Sequence, residues 1–350
     1  MHQTPELDSK SIAEENGLRY MYPEKLTITR VRAGQGFGYR DAENKKITDK
    51  TILERIKRIK IPPAYQDVHI SPFANGHLQA IGKDERGRTQ YLYHPNWRVV
   101  RDANKFEHML AFGQALPAIR ETVYKHLHQK EYPRQKLLAA IVAILDKTHI
   151  RIGNEEYAKT NKSYGLTTLH NRHAKVHGDT IQFSFRGKRG IQHTVEFHDK
   201  ELAKIIHTSQ ELPGYELFEY RDHEGIIHRI ESNDVNEYLK EICQNDFTAK
   251  DFRTWHATVS ALKQLLIQSA VTTKTELKQN IAATIRQVAS ELGNTPAICK
   301  KSYIHPGILT AYLEHHLPDC AKRSKIKKFS NPHLKISERA TLVFLAEYKK

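Results

Sequence analysis

The prevailing spacing of apolar residues differs between the first and the later part of this 350-residue chain, and the difference limits the folds that the chain can form. Over Leu26–Arg32, apolar and polar side chains alternate, which is the pattern of a half-buried β-strand. From Ala103 onward, apolar residues recur at helical spacing instead. We therefore place a domain boundary near residues 98–106 and predict an α+β protein. It has a small β-rich domain over residues 21–100 and a larger, mainly helical domain over residues 101–350.

Two turns within the helical region predict a small sheet there. Lys175–Phe185 has the pattern of a hairpin that turns at Gly178–Asp179, with alternate apolar side chains on one face. A second tight turn at Gly187–Gly190 leads into another strand. Lys188 is therefore expected at the exposed tip of a β-hairpin.

Both ends of the chain are polar. Residues 1–20 form a polar N-terminal segment that we expect to be loosely ordered. This segment lacks the basic and then apolar order of a secretory signal, so we expect a cytoplasmic protein. Near the other end, Lys322–Lys328 is a basic run.

The net charge of the chain indicates the class of its partner. A net charge of +15 and a pI near 9.5 favour a polyanion. Nucleic acid is favoured over a membrane, because no run of about 18 apolar residues is present.

The three cysteines, Cys243, Cys299 and Cys320, lack Cys-x-x-Cys spacing, which predicts reduced thiols and no zinc site. We expect no metal and no cofactor.

A charged stretch in the β-rich half has the residue types that contact nucleic acid. Its arginines can fork onto phosphates and its glutamine can bond base edges, so we predict DNA contacts from Lys83, Arg86, Arg88, Gln90 and Tyr91. A charged hairpin turn without a partner explains this stretch equally well when it is taken alone.

Five residues in the helical half have the chemistry for attack on a phosphodiester: Arg151, Lys188, Arg253, Asn294 and Tyr303. A phenol is a weak nucleophile because its pKa is about 10, and the phosphorane transition state gathers negative charge. Arginines favour the phenolate and present planar forks to the phosphate oxygens. A lysine buried among cations would have a lowered pKa and would be suited to protonate the leaving oxygen.

Taken in order, the contexts of these residues resemble the type IB DNA topoisomerases, in their small bacterial and poxvirus-like branch. The resemblance runs from about Leu18 to Leu317 and rests on His149–Asn154, Phe185–Arg189, Lys250–Thr254, Asn294–Pro296 and Cys299–Tyr303. It implies a catalytic domain of the topoisomerase IB and tyrosine recombinase type. It also implies relaxation of supercoiled double-stranded DNA without ATP or metal.

The resemblance also assigns roles to single residues. It implies that Tyr303 is the nucleophile, that Arg151 and Arg253 stabilise the transition state, and that Lys188 protonates the leaving group with help from Arg253. Tyr157 and Lys300 are expected to contact DNA. A monomer that clamps the duplex, with the β-rich domain on the far side, and a nucleoid-associated location are further expectations.

Asn294 is the position where the motifs depart from the commonest pattern. The eukaryotic and poxvirus enzymes carry histidine there, whereas bacterial enzymes often carry asparagine. An amide can donate a hydrogen bond to a phosphoryl oxygen but cannot transfer a proton. The alternative is that Asn294 or Thr295 caps a helix that begins at Pro296.

Ion pairing is an alternative role for the two arginines. Arg151 could pair with Glu155 on the surface, and Arg253 could pair with Asp251.

Two further classes of protein fit the same residues. A tyrosine recombinase has a very similar pocket, but it typically carries His-x-x-Arg where this chain has Lys250–Arg253, and its N-terminal domain is usually helical. A non-catalytic basic DNA-binding clamp is the third alternative.

Overall fold

The computed structural model describes residues 10, 13–34, 36–85, 87, 89–130, 133–245, 247–268, 273–317 and 331–348. The basic run Lys322–Lys328 and the side chains of Arg86 and Arg88 lie outside these residues. The chain divides into two compact units, Met1–Glu107 and His108–Lys350. Among the described helices, none is both long and apolar enough to cross a membrane.

One antiparallel sheet and one helix form most of the first unit. The sheet has the strand order β2–β1–β3–β4–β5, with β1 Ile28–Ala33, β2 Gly36–Arg40, β3 Gln66–Ile70, β4 Leu78–Lys83 and β5 Thr89–Tyr93. Helix α1, Lys50–Ile59, begins where the Asp49 carboxylate accepts the backbone N–H groups of Thr51 and Ile52 at 2.7 and 3.2 Å. Its Ile56 is buried against Ile28, Val68, Ile70 and Ala80.

The end of the polar N-terminal segment is packed and not loosely ordered, so that expectation was wrong for residues 13–20. Ala13 and Leu18 are 0% and 4% exposed and pack with Trp97. The Tyr20 ring stacks on His77 with 4.3 Å between the ring centroids. These few apolar and aromatic side chains are enough to hold a mostly polar segment against the first unit.

The second unit is mainly helical. Its helices are α2 Pro95–Leu127, which begins in the first unit, α3 Pro133–Thr148, α4 Glu155–Asn161, α5 Lys200–Gln210, α6 Ser232–Cys243, α7 Ala249–Ile267, α8 Lys274–Glu291, α9 Pro296–Ser302, α10 Pro306–Leu313 and α11 Ile336–Glu347. Helix α7 is buried on most of its sides and packs against α3, α6, α8, α10 and α11. It is therefore the centre of the core.

Strands β6 Ala174–His177, β7 Thr180–Arg186 and β8 Gln192–His198 form the antiparallel sheet that the turn pattern predicts. Ile181, Phe183 and Phe185 of β7 are all buried. Lys188 lies at the tip between β7 and β8, as predicted. A separate two-stranded ribbon pairs β9 Glu219–Arg221 with β10 Ile227–Arg229.

Candidate active site

A cleft of about 320 Å³ in the second unit joins side chains that are far apart in the sequence. Arg151, Lys188, Arg253 and Tyr303 all line it. Asn294, the fifth predicted catalytic residue, does not line the cleft, but its side-chain oxygen accepts a hydrogen bond from Arg151. The fold thus brings all five predicted catalytic residues to one place.

Tyr303 lies directly after the short helix α9, and its main chain is fixed on two sides. Its N–H donates to the Cys299 carbonyl at 3.0 Å, and its own carbonyl accepts the Thr258 hydroxyl at 3.1 Å. Thr258 belongs to the central helix α7. The turn that carries the phenol is therefore hydrogen-bonded to both α9 and α7.

Arg253 is a buried cation beside the Tyr303 ring. Its side chain is 5% exposed, and its Cζ atom lies 5.4 Å from the Tyr303 ring centroid. One terminal nitrogen donates to the His149 carbonyl, and the other donates to the Leu292 carbonyl at 2.8 Å. Its Nε is buried and has no hydrogen-bond partner among the described residues. The Nε–H is therefore a donor that the described residues leave unused.

Burial and the nearby charge of Arg151 lower the pKa of Arg253 to about 10. At that value the guanidinium is still charged at neutral pH. The predicted alternative, an ion pair between Arg253 and Asp251, was wrong. The Asp251 carboxylate instead accepts the Thr248 backbone N–H at 2.8 Å and so caps the beginning of α7.

Arg151 is fixed by the chain around Asn294. Its Nη2 donates to the Gly293 carbonyl at 3.3 Å and to the Asn294 side-chain oxygen. The alternative pairing of Arg151 with Glu155 was wrong, because Glu155 pairs with Arg229 at 2.6 Å. Burial lowers the pKa of Arg151, although its contacts with Tyr303 act in the opposite direction.

Asn294 does not cap the following helix, so the capping alternative was wrong for this residue. Thr295 is the cap, with its hydroxyl accepting the Ile298 N–H at 3.4 Å. The Asn294 amide nitrogen is buried and has no partner among the described residues. Gly293 precedes it with φ of 57°, and a Cβ there would collide with the His193 ring. The position of Asn294 therefore depends on a glycine before it.

Two effects compete at the Tyr303 phenol. Burial raises its pKa, but the charges of Arg253 and Arg151, a hydrogen bond from Arg253 and the charge of Lys250 together lower it below the ordinary value of 10.0. The charges outweigh burial, so the phenol ionises more readily than an ordinary tyrosine. This is the direction that a nucleophilic tyrosine requires.

Lys188 lines the cleft, and its side chain is exposed, as predicted for the tip of a hairpin. It projects from the hairpin tip, and its Nζ lies 5.7 Å from the centroid of the Tyr157 ring. Tyr157 also lines the cleft, from helix α4, which the Asn154 side chain caps.

Lys250 lines the cleft although nothing in its own motif distinguished it from a solvated lysine. It lies one turn before Arg253 on α7. Residues three apart share one face of a helix, so this spacing is the sequence signal that could have identified Lys250.

Of the residues predicted to bind DNA in the first unit, Lys83, Gln90 and Tyr91 are described and lie on strands β4 and β5. Lys83 is paired with Asp67 at 2.8 Å, and the Gln90 amide donates to Asp84 at 3.0 Å. Tyr91 is 48% exposed. In the second unit, Lys300 is exposed and does not line the cleft. Their contacts with DNA stay a prediction.

Among the described residues, no group of three or more His, Cys, Asp or Glu side chains could hold a metal ion.

Comparison with known proteins gives the family. Residues 94–328 match the family described as eukaryotic DNA topoisomerase I, catalytic core, and residues 36–84 match bacterial DNA topoisomerase IB, N-terminal domain. DNA topoisomerase 1B of Acanthamoeba polyphaga mimivirus is 30% identical over 81% of this chain and 87% of its own length. DNA topoisomerase I of Monkeypox virus is 26% identical over 80% of this chain and 88% of its own length. The chain belongs to the type IB DNA topoisomerase family.

Proposed function

We propose that this protein relaxes supercoiled duplex DNA by cutting and resealing one strand through a tyrosyl phosphodiester. The observation that carries the proposal is the Tyr303 phenol, which is held beside Arg151 and Arg253 in one cleft and has a lowered pKa. Relaxation of a negatively supercoiled plasmid in buffer without ATP tests it. The topoisomers should shift toward the relaxed distribution.

In the cleavage step, the Tyr303 phenol loses its proton to solvent, its oxygen attacks the scissile phosphorus, and the bond from phosphorus to the 5′ oxygen breaks. The 3′ end stays on the protein as a phosphotyrosine, and the 5′ hydroxyl end is free to rotate. Lys188 supplies the proton to the leaving 5′ oxygen. Resealing is the reverse reaction, with the 5′ hydroxyl as nucleophile. Because the ester keeps the energy of the broken bond, ATP is not needed.

Arg151 and Arg253 stabilise the charge that develops on the phosphoryl oxygens. Both are oriented before DNA arrives: Arg253 by the His149 and Leu292 carbonyls, and Arg151 by the Gly293 carbonyl and the Asn294 amide oxygen. Donors that are already oriented need no reorganisation during the reaction. Their positive charges, with that of Lys250, provide what a metal ion provides in other phosphoryl-transfer enzymes.

The role of Lys188 requires contact with DNA. Its exposed position at the hairpin tip leaves it free to move into the duplex-bound cleft, where it can reach the leaving oxygen. A proton donor in this position contributes about 10² to 10⁴ in rate. Lys188 and Tyr157 approach each other across the cleft, which supports a shared contact with the scissile phosphate and its neighbour.

Asn294→Ala is expected to slow single-turnover cleavage by about 10² to 10³, the usual cost of one oxyanion-type donor. The Asn294 amide nitrogen is buried without a partner among the described residues, and a phosphoryl oxygen would provide one. The melting temperature should change little because Thr295 caps α9. Asn294→His is the matched variant and should keep much of the rate, since an imidazole N–H can donate in the same place. Cleavage of the alanine variant at the parental rate would remove Asn294 from the mechanism.

We also propose that a monomer binds double-stranded DNA as a clamp, with the first unit on the side of the duplex opposite to the catalytic unit. The residues that we assign to this binding are Lys83, Arg86, Arg88, Gln90, Tyr91, Tyr157 and Lys300. The net charge of +15 supports a large ionic contribution to binding. The ion pair of Lys83 with Asp67 would have to open for Lys83 to contact a phosphate.

DNA affinity is expected to fall steeply with salt. A protein that neutralises about 6 to 10 phosphates loses about 10³ to 10⁵ in affinity between about 50 and 200 mM salt, because condensed counterions are released on binding. Replacing both Arg86 and Arg88 by alanine should make this slope shallower while cleavage at saturating DNA stays close to parental. A titration series with fluorescent duplex measures the slope. A flat salt dependence would contradict the ionic clamp.

A further inference from the structure

A buried carboxylate on the C-terminal helix α11 joins that helix to the rest of the unit. Glu338 is 4% exposed and accepts hydrogen bonds from both terminal nitrogens of Arg120, at 2.9 and 2.8 Å. The backbone N–H of Lys335 donates to it at 2.8 Å. A forked pair of this kind fixes orientation as well as distance. Glu338 therefore holds the beginning of α11 against α2, which carries Arg120.

The same guanidinium holds α3, the helix that leads to Arg151. Arg120 Nε donates to Asp146 Oδ2 at 2.7 Å, and Nη2 donates to Asp146 Oδ1 at 3.0 Å. Asp146 lies in the last turn of α3. The chain then turns at His149, with φ of 57°, and the His149 carbonyl accepts Arg253. The Arg120 contacts thus fix the end of α3. From there the chain continues through His149, whose carbonyl accepts Arg253, to Arg151.

Helix α11 also contacts α7 close to Arg253. Trp255, two residues after Arg253, directs its indole N–H to Glu338 Oε1 at 3.4 Å. The Trp255 ring and Leu342 of α11 both occupy the space over Gly113, where any Cβ would collide with them. This close packing leaves little room for α7 to shift relative to α11.

The other end of α11 packs on the segment that follows Tyr303. The Tyr348 ring covers Gly307 and leaves no space for a side chain there. The same ring meets His305 at 5.4 Å with an interplanar angle of 86°, and Phe344 lies 6.1 Å from His305. His305 comes two residues after Tyr303. The end of α11 thus limits movement of the nucleophile's own segment.

We infer that α11 is a positioning element of the active site and that Glu338 is its positioning residue. None of residues 336–347, all of which are described, lines the cleft, and the helix lies beyond the family match at 94–328. Yet it contacts the elements that carry Arg253 and Tyr303, and Arg120 links it to the helix that leads to Arg151. The inference rests on the proposed cleavage reaction, whose rate depends on how closely these groups meet the phosphate.

Glu338→Gln tests the inference. The amide keeps the size of the side chain but presents N–H groups to Arg120, so the forked pair is lost. We expect single-turnover cleavage at saturating DNA to slow by about 10- to 100-fold, the cost of small displacements of catalytic groups. Affinity for duplex DNA should stay parental, because α11 lines no part of the cleft. Glu347→Gln, the same change at an exposed position of α11, should cleave like the parent.

The parental protein in the same assay separates the two possible failures. If the parent forms no covalent adduct, the proposed function fails; if the parent and Glu338→Gln cleave equally fast, only the positioning role fails. Circular dichroism at the assay temperature shows whether Glu338→Gln is folded. If Glu338→Gln is unfolded, the same cleavage and affinity measurements are made on Tyr348→Leu, which changes the residue directly after the other end of α11. Slow cleavage with parental affinity in that variant supports the inference, and parental cleavage in the folded variant overturns it.

Discussion

Tyr303→Phe is expected to abolish both plasmid relaxation and the covalent adduct with DNA. The change removes only the phenolic oxygen, and loss of a nucleophile costs about 10⁶ in rate in another enzyme that acts through a covalent intermediate. Affinity for duplex DNA should stay close to parental, because the cationic side chains that line the cleft remain. Detergent-trapped adduct, plasmid relaxation and DNA binding measure the three quantities separately.

A second tyrosine of the cleft is the matched control for this variant. Tyr164 lines the same cleft, so Tyr164→Phe makes the same chemical change nearby. We expect its covalent adduct to persist. Adduct that remained in Tyr303→Phe would contradict the assignment and would direct attention to Tyr157 or Tyr164 as the nucleophile.

Arg253→Lys is expected to slow single-turnover cleavage by about 10³ to 10⁵, the range that one well-placed arginine contributes in other phosphoryl-transfer enzymes. Lysine keeps the charge but replaces a planar fork by a single ammonium group. That group cannot bond the His149 and Leu292 carbonyls and also face the phosphate. The cleavage rate constant at saturating DNA measures the loss.

The same variant should also be less stable. A hydrogen bond from a charged donor contributes about 1.5 to 3 kcal/mol, so loss of the Arg253 bond to Leu292 should lower the melting temperature by several degrees. Cleavage is therefore compared well below the melting temperature. Arg286→Lys, at an exposed position of α8, is the control and should match the parent in both measurements. A folded Arg253→Lys that cleaves within about tenfold of the parent would contradict the proposed role.

Local sequence signals predicted several elements of the fold. Alternation located strand β1, and glycine turns located the hairpin that carries Lys188. Each of these depends on the residues of one segment, which fix hydrogen bonds and turn geometry within that segment. The packed end of the N-terminal segment was missed because its partner, Trp97, is far away in the sequence.

The order of the motifs identified the candidate site residues, but not the contacts that hold them. Arg253 bonds main-chain carbonyls of His149 and Leu292, which no side-chain pattern reveals. The bond between Asn294 and Arg151 likewise depends on how distant segments pack. The exposed position of Lys188, in contrast, was predicted from the glycine turn that carries it.

Covalent trapping of the protein on DNA tests the central claim most directly. The protein is mixed with duplex DNA without ATP and in excess chelator, stopped with detergent, and digested with a nuclease and a protease. Mass spectrometry of the peptides should then show a nucleotide joined through its 3′ phosphate to Tyr303. DNA binding without any covalent adduct, or an adduct on another residue or through a 5′ phosphate, would contradict the account.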